Sequence, residues 1–350
     1  MELKNLQKHI RTLATLEETD SPVISYYLNL EASDSEHRRV LKERAFLVRQ
    51  TLSGKARQEF EEALDRIEAF IASELLPDAK GVALFARGGL QPFFLPLQFR
   101  VPLPNWIAVN STPNLYHLVE LKDTYHRYVV VIATKESARI LEVNLGAVTE
   151  ELWRQRPELR QRVGRGWSKE RYQNHRQERT NRFIKEMIKA LEQLMAAGGH
   201  THLILAGDPR MTSRVRLALP KHLAAGLIDT VVAANSDEIS DVVAATLASF
   251  VEQEEQESLA IVDVLQREVR TGGLAVIGPE ASLEALKRSQ ADVLVLAKGM
   301  LDVRLKEELV RLAARNQCQV EVVNHSDFLM GFGGAGCLLR YLTLEQYANK

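Results

Sequence analysis

Arg162-Val163-Gly164-Arg165-Gly166-Trp167-Ser168-Lys169-Glu170-Arg171-Tyr172 begins the stretch around which the chain is organised, and the character of that stretch changes at Phe183. From Ser168 to Arg182 the single large apolar residue is Tyr172, while Lys169, Arg171, Arg176, Arg179 and Arg182 supply cations. That half of a helix has no face to bury. From Phe183 onward, Phe183, Met187, Ile188, Leu191 and Leu194 fall at helical spacing and form an apolar stripe. The pattern predicts a helix over about 169–195 whose base packs on a domain and whose basic half projects, with a loop made flexible by Gly164 and Gly166 at its tip. Between Arg154 and Lys189 there are 12 Lys or Arg against 4 Glu, so a strong local positive charge is concealed by the overall charge of −1.

Working outward, Tyr128–Thr134 and Ala138–Val143 are β-rich runs around Lys135-Glu136-Ser137 and predict a hairpin. After the helix, His202–Ala206 and Thr230–Ala233 read as buried strands, so strand, helix and strand make a βαβ unit. Upstream, the pattern gives a helix at Leu3–Leu16, a strand at Val23–Leu30 and one helical stretch at Ser35–Leu75. Strands are expected at Gly81–Ala86, Phe93–Phe99 and Tyr116–Leu121. Downstream, Asn235 with Glu238 forms a capping box ahead of a long helix through the acidic cluster Glu252, Glu254, Glu255 and Glu257. Strands Leu274–Ile277, Val293–Leu296 and Val320–Val323 then alternate with helices Ser282–Ser289 and Asp302–Ala314. The expected fold class is α/β in three domains, each a mixed or parallel sheet packed by helices: an N-terminal α/β domain over 1–123, a middle domain over 124–250 carrying the loop and basic helix, and an α/β/α sandwich over 251–350.

At 350 residues the chain has room for two or three cores, and 45% hydrophobic with 26% charged residues is a globular composition. The apolar runs fall far short of the ~20 residues of a membrane span. Met1-Glu2-Leu3-Lys4-Asn5 lacks the apolar region of a secretory signal, and the two cysteines, Cys318 and Cys337, suit a reducing compartment. The expectation is a cytoplasmic protein without membrane contact.

The common catalytic signatures are missing: GxxxxGK[ST], HExxH, CxxC and GxSxG do not occur. His200 and His202 lack a partner pair at metal-ligand spacing, so no metal is expected. Cys318 and His325 could be imagined as a thiolate and its base, but a solitary cysteine beside a strand reads as a core residue. Gly331-Phe332-Gly333-Gly334-Ala335-Gly336 satisfies GxGxxG in letters only, because no helix and acidic residue follow it; it reads as a glycine-rich crossing into a last strand. No cofactor is expected. A Gly-Arg-Gly-Trp loop on a basic helix does fit RNA, with arginines on phosphates and the indole on a base.

These elements resemble the middle domain of the archaeal and eukaryotic class I peptide chain release factors and their Pelota relatives. Gly164-Arg165-Gly166-Trp167-Ser168 stands where that family has Gly-Arg-Gly-Gly-Gln-Ser, followed by Arg171-Tyr172 and Arg176. Leu205-Ala206-Gly207 is similar to the family's Leu-Ala-Gly strand, and Gly331–Gly336 with Leu339-Arg340-Tyr341 to its Gly-Phe-Gly-Gly-Ile-Gly ending. The resemblance covers about Tyr128–Tyr341 and points to the bacterial branch of the superfamily.

The resemblance implies a ribosome-binding translation factor occupying the A site, acting in hibernation or rescue. Its implied partners are rRNA of the A site and peptidyl-transferase centre, tRNA, and a translational GTPase such as elongation factor Tu; the chain would work as a monomer. The RNA-binding residues would be Arg162, Gly164, Arg165, Gly166, Trp167, Ser168, Lys169, Arg171, Arg176 and Arg179. Members that release peptides use the Gln of Gly-Gly-Gln to position water, and Trp167 donates one N–H and accepts nothing. No catalytic residue is therefore assigned. The alternative is a peptidyl-tRNA hydrolase in which backbone amides of the Gly164–Trp167 loop replace that Gln. The stop-codon motif Asn-Ile-Lys-Ser does not occur; Asp34–Ser53 is instead an amphipathic helix with Val40, Leu41, Leu47 and Val48 at core spacing. A binding module using the acidic helix for another RNA or a protein is the third reading.

Overall fold

The computed structural model describes residues 3–31, 34–134, 137–155, 169–234 and 237–342. They gather into two compact units, one formed by 1–126 with 254–350 and the other by 127–253. Among the described residues no helix is long and apolar enough to cross a membrane.

In the first unit, α1 (Leu3–Ala14) buries Leu6, Ile10, Leu13 and Ala14, one stripe of an amphipathic helix. Strand β1 (Val23–Asn29) is flanked by α2 (Asp34–Thr51) and α3 (Gly54–Ser73) in sequence and by later strands in space. The single helix expected over Ser35–Leu75 is broken because Ser53 is extended and Gly54 has φ +57°, a left-handed conformation that favours glycine. Phe60, Ala63, Leu64, Ile67 and Phe70 of α3 pack on Ile24, Tyr26 and Leu28 of β1. They also cover Val82, Leu84 and Ala86 of β2 (Gly81–Arg87). With β3 (Phe93–Phe99) and β4 (Trp106–Asn110), the sheet order is β3-β2-β1-β4. This sheet is antiparallel throughout, not mixed or parallel as expected: β2 and β3 form a hairpin, and the pair of helices α2 and α3 between β1 and β2 returns the chain to run the opposite way. Val48 packs against the core as expected, whereas Leu47, also expected there, is 60% exposed and Ala45 is buried in its place. The side chains of Val40 and Leu41 lie outside the described residues.

Tyr116–Leu121, expected as a strand, is helix α4 (Tyr116–Thr124). Tyr116, Leu118, Val119 and Leu121 are all buried, so the helix shows no clean 3.6 period and its apolar run resembles a buried strand.

The second unit is one five-stranded sheet with helices on both faces. Strands β5 (Tyr128–Ala133) and β6 (Ser137–Asn144) form the expected hairpin, and β7 (Ala147–Gln155) adds a strand the sequence reading did not contain. Helix α5 (Lys169–Gly198) leads into β8 (Leu203–Gly207), and α6 (Pro209–Ala218) with α7 (Lys221–Ala225) leads into β9 (Leu227–Val232). The order is β7-β6-β5-β8-β9, with β5, β8 and β9 parallel. Val129, Val131, Leu203 and Leu205 point toward α5, α6 and α7. Tyr128, Val130, Ile132 and Ile204 point the other way, toward Val242, Val243 and Phe250 of helix α8 (Ile239–Thr271). Parallel strands buried on both faces read as continuous apolar runs, which is why β5 and β8 were legible. Of the expected capping box, Asn235 lies outside the described residues and Glu238 precedes the helix.

The remainder of the first unit begins with the second half of α8, whose Val262 and Leu265 are buried with Val295, Ala297 and Val323. Then come β10 (Ala275–Ile277), α9 (Pro279–Lys287), β11 (Ala291–Ala297), α10 (Val303–Arg315), β12 (Gln319–Val323), α11 (Asp327–Gly331) and β13 (Ala335–Leu339). The sheet order is β10-β13-β11-β12, mixed, with β11 and β12 parallel. The glycine-rich segment crosses into β13 as expected, for a Cβ on Gly336 would lie 2.7 Å from Leu265 Cδ2.

Helix α4 is held at both ends by this sheet and its helices. The backbone N–H groups of Leu115 and Tyr116 donate to the Glu307 carboxylate on α10, the second at 3.1 Å. At the other end Asp123 Oδ2 accepts the Val322 N–H at 2.7 Å. Burial pushes Glu307 up to about 7 against the two backbone donors that lower it, and burial followed by the Glu321 carboxylate pushes Asp123 well above the usual range. Both groups therefore keep their protons to higher pH in the folded chain than in the unfolded one. For Glu307 the stabilisation is complete below about pH 4.5 and is lost as pH rises toward 7. Glu307→Gln is expected to remove about 1–3 kcal/mol of that pH dependence, each pKa unit being worth about 1.4 kcal/mol. Urea unfolding of both proteins at about pH 5 and about pH 8 checks it. Parallel pH profiles would contradict the assignment.

Candidate nucleic-acid interface

The geometry begins with how α5 is seated. Thr180, Phe183, Ile184, Met187, Ile188, Leu191, Leu194 and Met195 are buried. The apolar residues of this stripe cover Val129, Val131, Ile140, Leu203 and Leu205 of the sheet. Burial begins at Thr180, one turn before the Phe183 boundary read from the sequence. On the opposite side Arg179, Arg182, Lys185 and Lys189 are exposed, accompanied by Glu178 and Glu186. Where β8 ends beside β5, Gly207 has φ +125° and a Cβ there would lie 2.2 Å from the Ala133 carbonyl, so glycine permits the approach of the two strand ends.

Of the residues assigned to RNA, Arg179 is exposed on the described part of α5. Lys169, Arg171 and Arg176 fall within the same helix, with their side chains outside the described residues. Arg162, Gly164, Arg165, Gly166, Trp167 and Ser168 lie outside the described residues.

The sequence reading missed α6. Pro209-Arg210-Met211-Thr212-Ser213-Arg214-Val215-Arg216-Leu217-Ala218 contains three arginines and no acid. Met211, Thr212 and Val215 are buried, leaving Arg210 and Arg216 exposed and Arg214 half-buried. Arg214 Nη2 donates to Asn181 Oδ1 of α5 at 3.0 Å, tying the two helices together through a neutral partner. The signal was present in the sequence, since no Asp or Glu occurs between Asp208 and Asp229.

Cys318, His325, His200 and His202 each have defined surroundings. Burial pushes the Cys318 thiol up to about 12, and its Sγ donates to the Asp292 carbonyl at 3.3 Å, so it is a neutral core group. His325 is exposed, with Nε2 3.3 Å from Asp327 Oδ1. His200 is buried, with Nε2 3.3 Å from Glu142 Oε2; burial first, with Arg127 nearby, lowers its pKa despite that carboxylate. A Cβ on Gly198 would lie 2.1 Å from the same nitrogen, so glycine makes room for the ring. The ring of His202 meets Phe250 edge-on at 5.6 Å between centroids.

Residues 113–251 match the family described as Bacterial archaeo-eukaryotic release factor family 10, so the resemblance to a bacterial branch of the release factors holds over the stretch that carries β5–β9 and α5. No curated protein matches the chain. Solved structures align over most of its length. The archaeal translation termination factor aRF1 is 17% identical, with 97% of this chain and 99% of that chain covered and a TM-score of 0.30. A ribosome-bound archaeal Pelota, described together with ABCE1, is 16% identical over 97% of this chain and 94% of that chain, with a TM-score of 0.45. Dom34 from S. cerevisiae, described as a translation termination-like factor involved in RNA quality control pathways and interacting with Hbs1, is 12% identical. It covers 76% of this chain and 82% of that chain, with a TM-score of 0.42.

Proposed function

We propose that this chain, whose residues 113–251 match a bacterial archaeo-eukaryotic release factor family, is a non-catalytic ribosome-binding translation factor. It occupies the A site during hibernation or rescue and reads no stop codon. The observation that carries this is the family match over residues 113–251 on a domain whose basic loop and helix have Trp167 in place of the water-positioning Gln. In this reading Arg162, Arg165, Lys169, Arg171, Arg176 and Arg179 meet RNA phosphate, while Gly164 and Gly166 let the loop enter a narrow passage. Trp167 stacks on a nucleobase with its apolar face. A translational GTPase such as elongation factor Tu is the delivery partner, and the setting is the cytoplasm.

Programmed ribosomes carrying peptidyl-tRNA provide the test. Saturating protein is expected to exclude aminoacyl-tRNA from the A site while leaving the peptidyl-tRNA ester intact. Cleavage of the ester would convert the reading to that of a peptidyl-tRNA hydrolase. Undiminished aminoacyl-tRNA binding would overturn A-site occupancy itself.

A further inference from the structure

Helix α6 lies beside the basic helix, and its charge has one sign. Arg210, Arg214 and Arg216 are followed by Lys221 at the start of α7, with no acid between Asp208 and Asp229. Asp208 itself is committed to the backbone, for its Oδ1 accepts the N–H groups of Arg210 at 2.9 Å and Met211 at 3.2 Å as the N-cap. A solvated helix face ordinarily carries both signs, which lets neighbouring side chains neutralise one another. Here the one side-chain bond made by an α6 arginine among the described residues is that of Arg214 to the neutral amide of Asn181.

That bond also fixes the layout. Arg182 follows Asn181 on α5, and Arg210 stands one turn, about 6 Å, before Arg214 on α6. Arg210 and Arg214 therefore share a face of α6, and the exposed Arg216, two positions on, turns to another side, so cations stand around the ~15 Å length of α6. Arginine is well suited to such a helix because its planar fork binds phosphate oxygens in pairs. Several like charges on one helix, rather than a single cationic point, fit a polyanion. We infer that α6 is a second phosphate-binding strip, one that grips the backbone of an RNA through Arg210, Arg214 and Arg216. This inference rests on the reading that the middle domain binds RNA, but it needs neither the loop nor the A site.

The test is Arg210→Glu with Arg216→Glu, two exposed positions outside the core, so an unchanged melting temperature is the folding control. Binding to vacant ribosomes and to purified ribosomal RNA is measured across about 50–200 mM salt, with polyglutamate as a second polyanion. The double variant is expected to bind both RNA-containing probes at least ~10-fold more weakly, with the slope of log affinity against log salt smaller by about 2. Native affinity and slope in the double variant would overturn the strip and leave the ribosome reading standing. Loss of binding to free RNA by the variant, with no ribosome binding by the native chain, would do the reverse. Polyglutamate bound as tightly as RNA, or no binding of RNA by the native chain, would overturn the strip as well.

Discussion

Arg165→Glu combined with Trp167→Ala is expected to lower affinity for vacant ribosomes by at least ~30-fold at moderate salt, with no change in melting temperature. Base–aromatic stacking is worth about 1–3 kcal/mol by alanine substitution. Reversing a cation placed on phosphate removes a charge-assisted bond and adds repulsion from the same backbone. Together they come to about 2–4 kcal/mol, and each 1.4 kcal/mol is tenfold. The buried stripe of α5 begins at Thr180, after both positions, so the double change leaves that stripe untouched and stability is expected not to move. Arg179→Ala, one exposed cation on the described part of the helix, should cost far less. Equal effects of the double change and of Arg179→Ala would mean that α5, not the loop, carries the contact.

Leu191→Ala is expected to destabilise the chain by about 2–5 kcal/mol, the usual cost of a large-to-small change that leaves a cavity. Leu191 is fully buried, in a cluster with Val129, Val131, Leu203 and Leu205. The same stripe holds the basic half of α5 on its domain, so ribosome binding should weaken near the unfolding midpoint and recover where the variant is folded. Urea unfolding with an unchanged slope measures the loss. A cost below ~1 kcal/mol would show that the stripe does not anchor the helix.

The middle unit was legible in the sequence for local reasons. Strands β5 and β8 announce themselves as unbroken apolar runs, and α5 by the switch from charge to stripe near Phe183. Helix α4 was misread because its support is remote: Glu307, which satisfies its first amides, lies 191 positions away from Tyr116. No local pattern encodes such a partner. Strand β4 was passed over because it is five residues long, follows Pro104 and is only partly buried. The α6 arginines escaped notice for a different reason. They are spaced among apolar residues rather than clustered, and only the folded helix shows Arg210 and Arg216 on its exposed side and Arg214 bound to α5 through Asn181.

The central claim is that this chain binds ribosomes through its middle domain, and sedimentation of the purified full chain with vacant bacterial ribosomes through a sucrose cushion tests it most directly. The account predicts that the native chain pellets with the ribosomes and that excess A-site tRNA returns it to the supernatant. A chain that stays in the supernatant with ribosomes in excess, or one that pellets regardless of A-site tRNA, would contradict it.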